Sequence, residues 1–553
     1  MIKIKRTYFI LSILLIAFFV LNVFLYKFEP AVSSPIDEKL DLRLLIRIYS
    51  NIKDKYVEDI DENLLIKSGI DGLVGVLDPY TAFYDQKKAN QLKSITTGEY
   101  GGIGFYVSMV DGKFTVVSPM EDSPAKKVGI RPGDVIIKVD GIDVTNMEMD
   151  GITEMIKGEQ NTKVNLTIER KGFSNPIEFT VIRKSIQVKD IPYYKMFDNN
   201  IGYVKLNHFS QNASAELGKT INELQKSGLK SLIIDVRGNP GGLLTSSIDV
   251  VELFLKRGEL IVSTKGRNGK FISEHRARRD KIFYEKPLII LVDELSASAS
   301  EILAGAIQDL DRGIIIGRKT FGKGLVQTIF YPTPQTALKL TTARYYTPSG
   351  RCIDGTKTKS ASDSINSKEN IYYTNSGRKV YGGGGVSPDI DIQNNIEYVS
   401  EWINQSLFLK YAIEYANKNP NIEYLDINNE ILRNFKEFVS QNWMISEDSN
   451  FKKIEELEKI GTKRNYGNEY ENNVQKLKKI IREKERNKID FSNPSIKYNL
   501  QKEINWVIGG DFNRIKSTIN DDIVIKEAVK ILNEPDRYNK ILKNVNISKG
   551  SSN

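Results

Sequence analysis

The stretch "LVDELSASASEILAGAIQD", residues 291–309, joins an apolar run to a run with helical spacing through three serines alternating with two alanines. An apolar run that stops at small polar residues and restarts at a 3.6-residue period predicts a buried strand leading into a helix. Ser298 and Glu301 have the S-x-x-E spacing of a capping box, which starts a helix and needs no chemistry. A serine at such a junction can equally face an open site, with the helix N-terminus aimed at the same place. Local spacing favours the cap, and nothing local chooses among Ser296, Ser298 and Ser300.

The same alternation extends outward. "NIGYVKLNHF", "LKSLIIDV" and "KPLIILVD" read as strands, with the helix "SAELGKTINELQKSG" between the first two. "RGIIIGR", "LVQTIFY" and "ALKLTTARYY" continue the strands. Strands alternating with helices predict an α/β core over residues 195–395 with its sheet covered on both faces. The polar run 353–377 reads as a surface insertion. Residues 36–96 read as a helical segment with Leu42, Leu45, Tyr49, Ile52 and Tyr56 on one face, until "LDPYTAFYD" breaks the pattern with a proline turn. Residues 396–553 turn to Lys, Glu, Asn and Ile at helical spacing, which predicts a helical extension for packing or for homodimerisation. Its charge runs are solvated faces.

At 553 residues the chain is too long for one core. The net charge of +9 comes from 79 basic residues scattered among 70 acidic ones, so it marks solvated surface and not a nucleic-acid partner. One cysteine, Cys352, excludes an intrachain disulfide and a cysteine-rich zinc site. The two histidines are His208, ending an apolar strand, and His275, in the polar "SEHRARRD", which reads as an exposed loop. A hydrolase built from this chain is expected to use a base other than histidine, and no metal or cofactor. Lys3, Lys5 and Arg6 precede an apolar run from about Tyr8 to Tyr26, long enough to cross a bilayer. That run is expected to be an uncleaved single-pass inner-membrane anchor within residues 1–30, leaving the remainder periplasmic; cleaved as a signal sequence, it would release a secreted form.

Three further stretches carry chemistry. In 97–185, Gly102, Ile103, Gly104 and Phe105 form a "GIGF" loop directly before a strand at 106–109, and "SPAKKVGIRPGDVIIKVDG" follows with a short helix, a Pro132–Gly133 turn and a strand from Val135. Such a loop can turn backbone N–H groups toward a peptide carboxylate while the peptide pairs with the strand. This segment resembles a PDZ domain of the bacterial protease type, which implies binding of a polypeptide C-terminus. "LIIDVRGNPGGLL", 232–244, ends a strand in a side-chain-poor turn that is either an ordinary connection or a backbone oxyanion site. In "GRKTFGKGLVQTIFY", 317–331, Lys323 between Gly322 and Gly324 is either a solvated lysine or one forced inward, where desolvation would lower its pKa toward use as a base. Gln327 has the same strand parity as Lys323 and could hydrogen-bond it.

Together with "DPYTAFYD", "LKLTTARYYTPSGRCIDG" and "VYGGGGVSPDI", these stretches resemble the C-terminal processing peptidases, or tail-specific proteases, the serine–lysine class of peptidase family S41. The resemblance runs in order from about residue 40 to 395. It implies a ClpP/crotonase-like core with an inserted β-rich PDZ domain, Ser298 as nucleophile, Lys323 as general base and Gln327 orienting the lysine. It further implies oxyanion donors from the amides of Gly241 and Ala299. The implied activity is an exported serine endopeptidase that cleaves polypeptides near their free C-termini or degrades unfolded proteins, with the PDZ domain capturing the C-terminus and gating the site. Two rivals are a membrane-tethered PDZ scaffold with an inactive protease-like domain and a crotonase-type acyl-CoA enzyme.

Overall fold

The computed structural model describes residues 41–85, 99–278, 282–283, 285–355, 371–393, 399–443, 449–487 and 490–543. The membrane segment expected at 8–26 lies outside the described residues, and among the described residues no helix is long and apolar enough to cross a membrane.

The described residues 41–77 form one compact unit and those from Asp78 onward a second. The first contains α1 (Leu42–Lys55) and α2 (Glu62–Gly75), two helices within the helical segment expected over 36–96. The break follows from the sequence. Asp41 and Asp61 each cap a helix by accepting an N–H two residues inside it, from Leu44 at 2.9 Å and Leu64 at 3.0 Å, so the second aspartate opens a new helix. Residues 82–84 are not helical; they form β1 (Ala82–Tyr84) in a sheet of the second unit.

Strand β2 (Glu99–Gly102) leads into the GIGF loop and then β3 (Phe105–Val110) and β4 (Lys113–Pro119). The short helix α3 (Pro124–Lys127), β5 (Val135–Val139), β6 (Ile142–Asp143), α4 (Met149–Ile156), β7 (Lys163–Glu169) and β8 (Ile177–Ile182) complete the expected β-rich domain. Its sheet runs β3-β4-β5-β7-β8, so β3 is an edge strand, and β9 (Lys184–Gln187) pairs with β2.

The α/β core follows the expected alternation: β10 (Tyr193–Phe197), β11 (Ile201–Lys205), α5 (Ala213–Lys226), β12 (Ser231–Asp235), α6 (Leu244–Glu252), β13 (Leu260–Lys265) and β14 (Phe271–Arg276). It continues with β15 (Leu288–Val292), α7 (Ala299–Asp309), β16 (Ile314–Gly317), β17 (Leu325–Thr333) and β18 (Thr336–Tyr346). His275, expected in a loop, lies on β14, where residues 271–276 pair with β13, and its Nε2 is 3.2 Å from Ser273 Oγ. At the end of the polar insertion, β19 (Ile371–Tyr373) pairs with β20 (Lys379–Tyr381). The central sheet is β10-β11-β12-β15-β16-β21, ending in β21 (Ile390–Asp391) and parallel from β11 onward.

Strand side chains alternate between two apolar layers. Val204, Ile234, Ile290 and Ile315 face the cluster that holds α5, α6 and α7. Tyr203, Ile233, Ile289 and Ile316 face Val524, Ile525, Ala528 and Ile531, which come from the far C-terminal region. Those residues belong to a helical module: α8 (Ser400–Asn404), α9 (Leu407–Lys418), α10 (Asn429–Asn442), α11 (Ser449–Arg464), α12 (Asn468–Asn487), α13 (Pro494–Thr518), α14 (Ile523–Leu532) and α15 (Pro535–Leu542). The extension therefore supplies the second helical layer of the sandwich, and each buried isoleucine there contributes about 2 kcal/mol of burial. A third cluster joins α9, α10 and α13 to Val110 and Val117 of the β-rich domain.

Candidate active site

The opening stretch folds as read: β15 ends at Val292 and α7 begins at Ala299. Its three serines differ in environment. Ser296 and Ser300 are fully buried, and their hydroxyls donate to the carbonyls of Val236 at 2.8 Å and Asn239 at 2.9 Å. Both hydroxyls are thereby used to tie the junction to the 236–241 turn. Ser298, between them, is partly exposed and stands at φ 54°, ψ −111°, a conformation that costs a non-glycine residue about 1–3 kcal/mol. As the first helical residue, Ala299 has an N–H with no helical carbonyl to bond.

The 237–242 turn closes on this junction. Gly241 has φ +106°, and a Cβ placed on it would lie 2.9 Å from Ser298 Cβ and 3.0 Å from Ala299 N. Gly241, Ser298 and Ala299 are thus brought together, and only a missing side chain leaves the approach open. The Gly241 N–H itself donates to Asn239 Oδ1 at 2.9 Å, while the Asn239 side-chain nitrogen is held by the Leu206 carbonyl at 2.9 Å.

Lys323 reaches the same place through Glu301. This fully buried carboxylate accepts the Ser298 N–H and the Lys323 N–H on one oxygen, each at 2.8 Å. Its other oxygen accepts the Gly322 N–H at 2.8 Å and the Thr320 hydroxyl at 2.6 Å. The buried Tyr345 hydroxyl mirrors it on the carbonyl side, lying 3.1 Å from the Ser298 carbonyl and against that of Lys323. One serine and one lysine are therefore clasped by both ends of their peptide units. The glycines beside the lysine have a packing reason: a Cβ on Gly322 would meet the Gly384–Gly385 backbone at 3.0 Å, and one on Gly324 would meet Asp354 N at 2.5 Å.

Model matches run along the same regions: "Peptidase family S41" at residues 200–362, "PDZ domain" at 115–170 and "Probable PDZ-protease, C-terminal helical domain" at 398–532. A carboxy-terminal-processing protease of Bartonella bacilliformis is 38% identical over 350 residues, covering 62% of this chain and 80% of that protein. The chain belongs to the S41 carboxy-terminal processing proteases. Carboxy-terminal processing protease CtpA of Bacillus subtilis is 37% identical over 318 residues, covering 57% of this chain and 67% of that one. Among solved structures, the photosystem II D1 C-terminal processing protease is 27% identical, covers 64% of this chain and 87% of its own, and gives a TM-score of 0.39.

The chain is accordingly a serine peptidase with a PDZ domain and a C-terminal helical domain. In this S41 protease the Lys323 ammonium is half-buried, its Nζ 4.6 Å from the centroid of the Tyr80 ring. Burial first and the Lys339 cation second hold its pKa below the ordinary lysine value, against the opposing pull of Glu301 and Asp78. Burial pushes the Glu301 carboxyl up, yet four donors and no acceptor face it, which favours the carboxylate. The Gln327 amide donates to Thr341 Oγ1 at 3.3 Å, and a bulge between Val326 and Gln327 breaks the strand parity that suggested a bond to Lys323.

In the GIGF loop the Ile103 carbonyl accepts the Ala125 N–H at 2.9 Å and the Gly104 carbonyl accepts the Met120 N–H at 3.0 Å. Because a trans peptide points C=O and N–H oppositely, the Gly104 amide is turned away from α3 and the Phe105 amide away from Met120, on the edge-strand side of β3. The loop packs on Ser123 and Ile186, apart from the serine–lysine clasp. Read from the sequence, Glu301 has only a capping role, and Tyr80, Thr320 and Tyr345 have none. Signals are present for all four: Glu301 is the acid of the S-x-x-E box, and Tyr80, Thr320 and Tyr345 lie in "DPYTAFYD", "GRKTFGKGLVQTIFY" and "LKLTTARYYTPSGRCIDG".

Proposed function

We propose that the chain is an exported endopeptidase that hydrolyses polypeptides near their C-termini through a Ser298–Lys323 dyad. The observation that carries this reading is the asymmetry of the three serines: only Ser298 is partly exposed and donates to no carbonyl of the 236–241 turn, at a helix start clasped to a lysine of lowered pKa. Neutral Lys323 takes the Ser298 proton as Oγ attacks the scissile carbonyl. The developing oxyanion is met by the Ala299 N–H at the positive end of α7. The Gly241 amide becomes the second donor when it gives up Asn239 Oδ1. The ammonium then protonates the leaving amine, and water repeats the cycle on the acyl-enzyme. Gln327 is kept as the residue that orients the lysine on the family resemblance alone, its amide being 3.3 Å from Thr341 Oγ1.

The Gly102–Phe105 loop and the open β3 edge support capture of a substrate C-terminus as an added strand. The apolar run at 8–26 supports a tether to the inner membrane with the catalytic part outside the cytoplasm. Ser298→Ala and Lys323→Ala, each assayed on an unfolded reporter, are expected to lower kcat at least about 10³-fold with the fold intact. Full activity in either variant contradicts the dyad, and inhibition by a zinc chelator contradicts a metal-free mechanism.

A further inference from the structure

The residue that opens the 237–242 turn is held from outside the peptidase core. Arg237 gives its Nε and one terminal nitrogen to Asp235, with the shortest contact 2.6 Å, and its other terminal nitrogen to both oxygens of Asp522, at 3.1 and 2.9 Å. Asp235 is 2% exposed and Asp522 8%. A guanidinium so enclosed has its orientation fixed by two planar carboxylates. Asp522 is itself fixed. It caps α14 by accepting the Val524 and Ile525 N–H groups at 2.9 and 3.0 Å, and Tyr498 of α13 donates to it at 3.3 Å. Lys205 completes the enclosure, 3.4 Å from Asp235 and against the Arg237 carbonyl.

The turn has two anchors. On one side Ser296, Ser300 and the Ala297 N–H hold the Val236 and Asn239 carbonyls. On the other, Arg237 is pinned to a helix start 285 residues further along the chain. Only two residues intervene between Arg237 and Pro240, and Gly241 follows at once against Ser298 and Ala299. Tilting Arg237 therefore displaces the amide that must meet the oxyanion.

We propose that Asp522 is a positioning residue for hydrolysis, so that the C-terminal helical module completes the active site by fixing the oxyanion turn through Arg237. The proposal rests on the assignment of Ser298 and Gly241 made above. It predicts that loss of the Arg237–Asp522 pair lowers kcat without changing KM, because the turn is needed where negative charge develops and not where the substrate is held.

The test uses the full chain and a short chromogenic peptide. Asp522→Asn keeps an acceptor to cap α14 but removes the charge that orients Arg237. Tyr538→Phe is the control. It alters the same module against the same core, where the Tyr538 hydroxyl donates to the Leu288 carbonyl at 3.1 Å, away from the turn. The expected result is a fall in kcat of about 10-fold or more for Asp522→Asn with KM unchanged, a matching fall in the rate at which a phosphonate labels Ser298, and wild-type kcat for Tyr538→Phe. Wild-type kcat in Asp522→Asn overturns the proposal, as does an equal loss in both variants, which would mark general loosening of the helical layer. Ser298→Ala is run alongside. If it stays active, the site assignment has failed and not this inference alone.

Discussion

Two glycine turns in this molecule carry the backbone amides of its two candidate sites, and they are secured very differently. The Gly102–Phe105 loop spends its carbonyls on α3 and the Met120 N–H, which frees its amides along an edge strand. The Arg237–Gly242 turn is fastened at nearly every residue: Gly238 N–H to Asp293 at 2.8 Å, the Val236 and Asn239 carbonyls to serines, and Arg237 to two carboxylates. One needs only to receive a carboxylate that already bears its charge. The other must stabilise a charge that exists for an instant, so its backbone is held in place and only the Gly241 N–H bond to Asn239 Oδ1 has to give way. The contrast separates a binding turn from a catalytic one on rigidity alone.

The strongest effect is expected at the rigid turn. Gly241→Ala places a methyl where the substrate carbonyl must sit and strains a residue at φ +106°, so kcat is expected to drop about 10³-fold while circular dichroism stays native. A mild defect in a peptide assay would undo the contrast. Glu301→Gln comes next. Its NH₂ would face backbone N–H donors in a fully buried site, destabilising the protein by about 3 kcal/mol in denaturant titration and loosening the serine–lysine clasp.

Much of this is legible in the amino-acid order alone. The apolar runs "LIIDV" and "LIILV" read as doubly covered strands and are so, and the family resemblance picks the middle serine. Spacing leaves Ser296, Ser298 and Ser300 equal, because what distinguishes them is which hydroxyls meet the carbonyls of a turn some 60 residues earlier. The role of the extension is illegible for the same reason: the bond from Arg237 to Asp522 joins two ordinary-looking charged residues that only the tertiary fold brings together. Gln327 shows the opposite limit. Strand parity suggests a bond that one bulge displaces.

A smaller effect concerns pH. Activity depends on neutral Lys323, so kcat/KM should rise as the lysine deprotonates, with a midpoint below the ordinary value of about 10.4. Removing the Lys339 cation lets Lys323 hold its proton more tightly. Lys339→Met should therefore move the rising limb to higher pH and cost about 3-fold at neutral pH. An unmoved limb assigns the titration to another group. The smallest effect on chemistry is at the binding turn. Gly104→Val would drive a Cβ to 2.6 Å from Ser123 Cβ, raising KM for long unfolded substrates about 10-fold while hydrolysis of a short peptide stays unchanged. An equal loss on both substrates would merge the two turns into one functional unit.

All of these effects turn on Ser298 as the nucleophile and Lys323 as its base. Mass spectrometry of the protein after reaction with a fluorophosphonate puts that pair to the test. One adduct is expected, on the peptide carrying Ser298, absent in Ser298→Ala and strongly slowed in Lys323→Ala. An adduct on Ser296, on Ser300 or outside residues 291–309, or unchanged labelling in Lys323→Ala, would contradict the assignment.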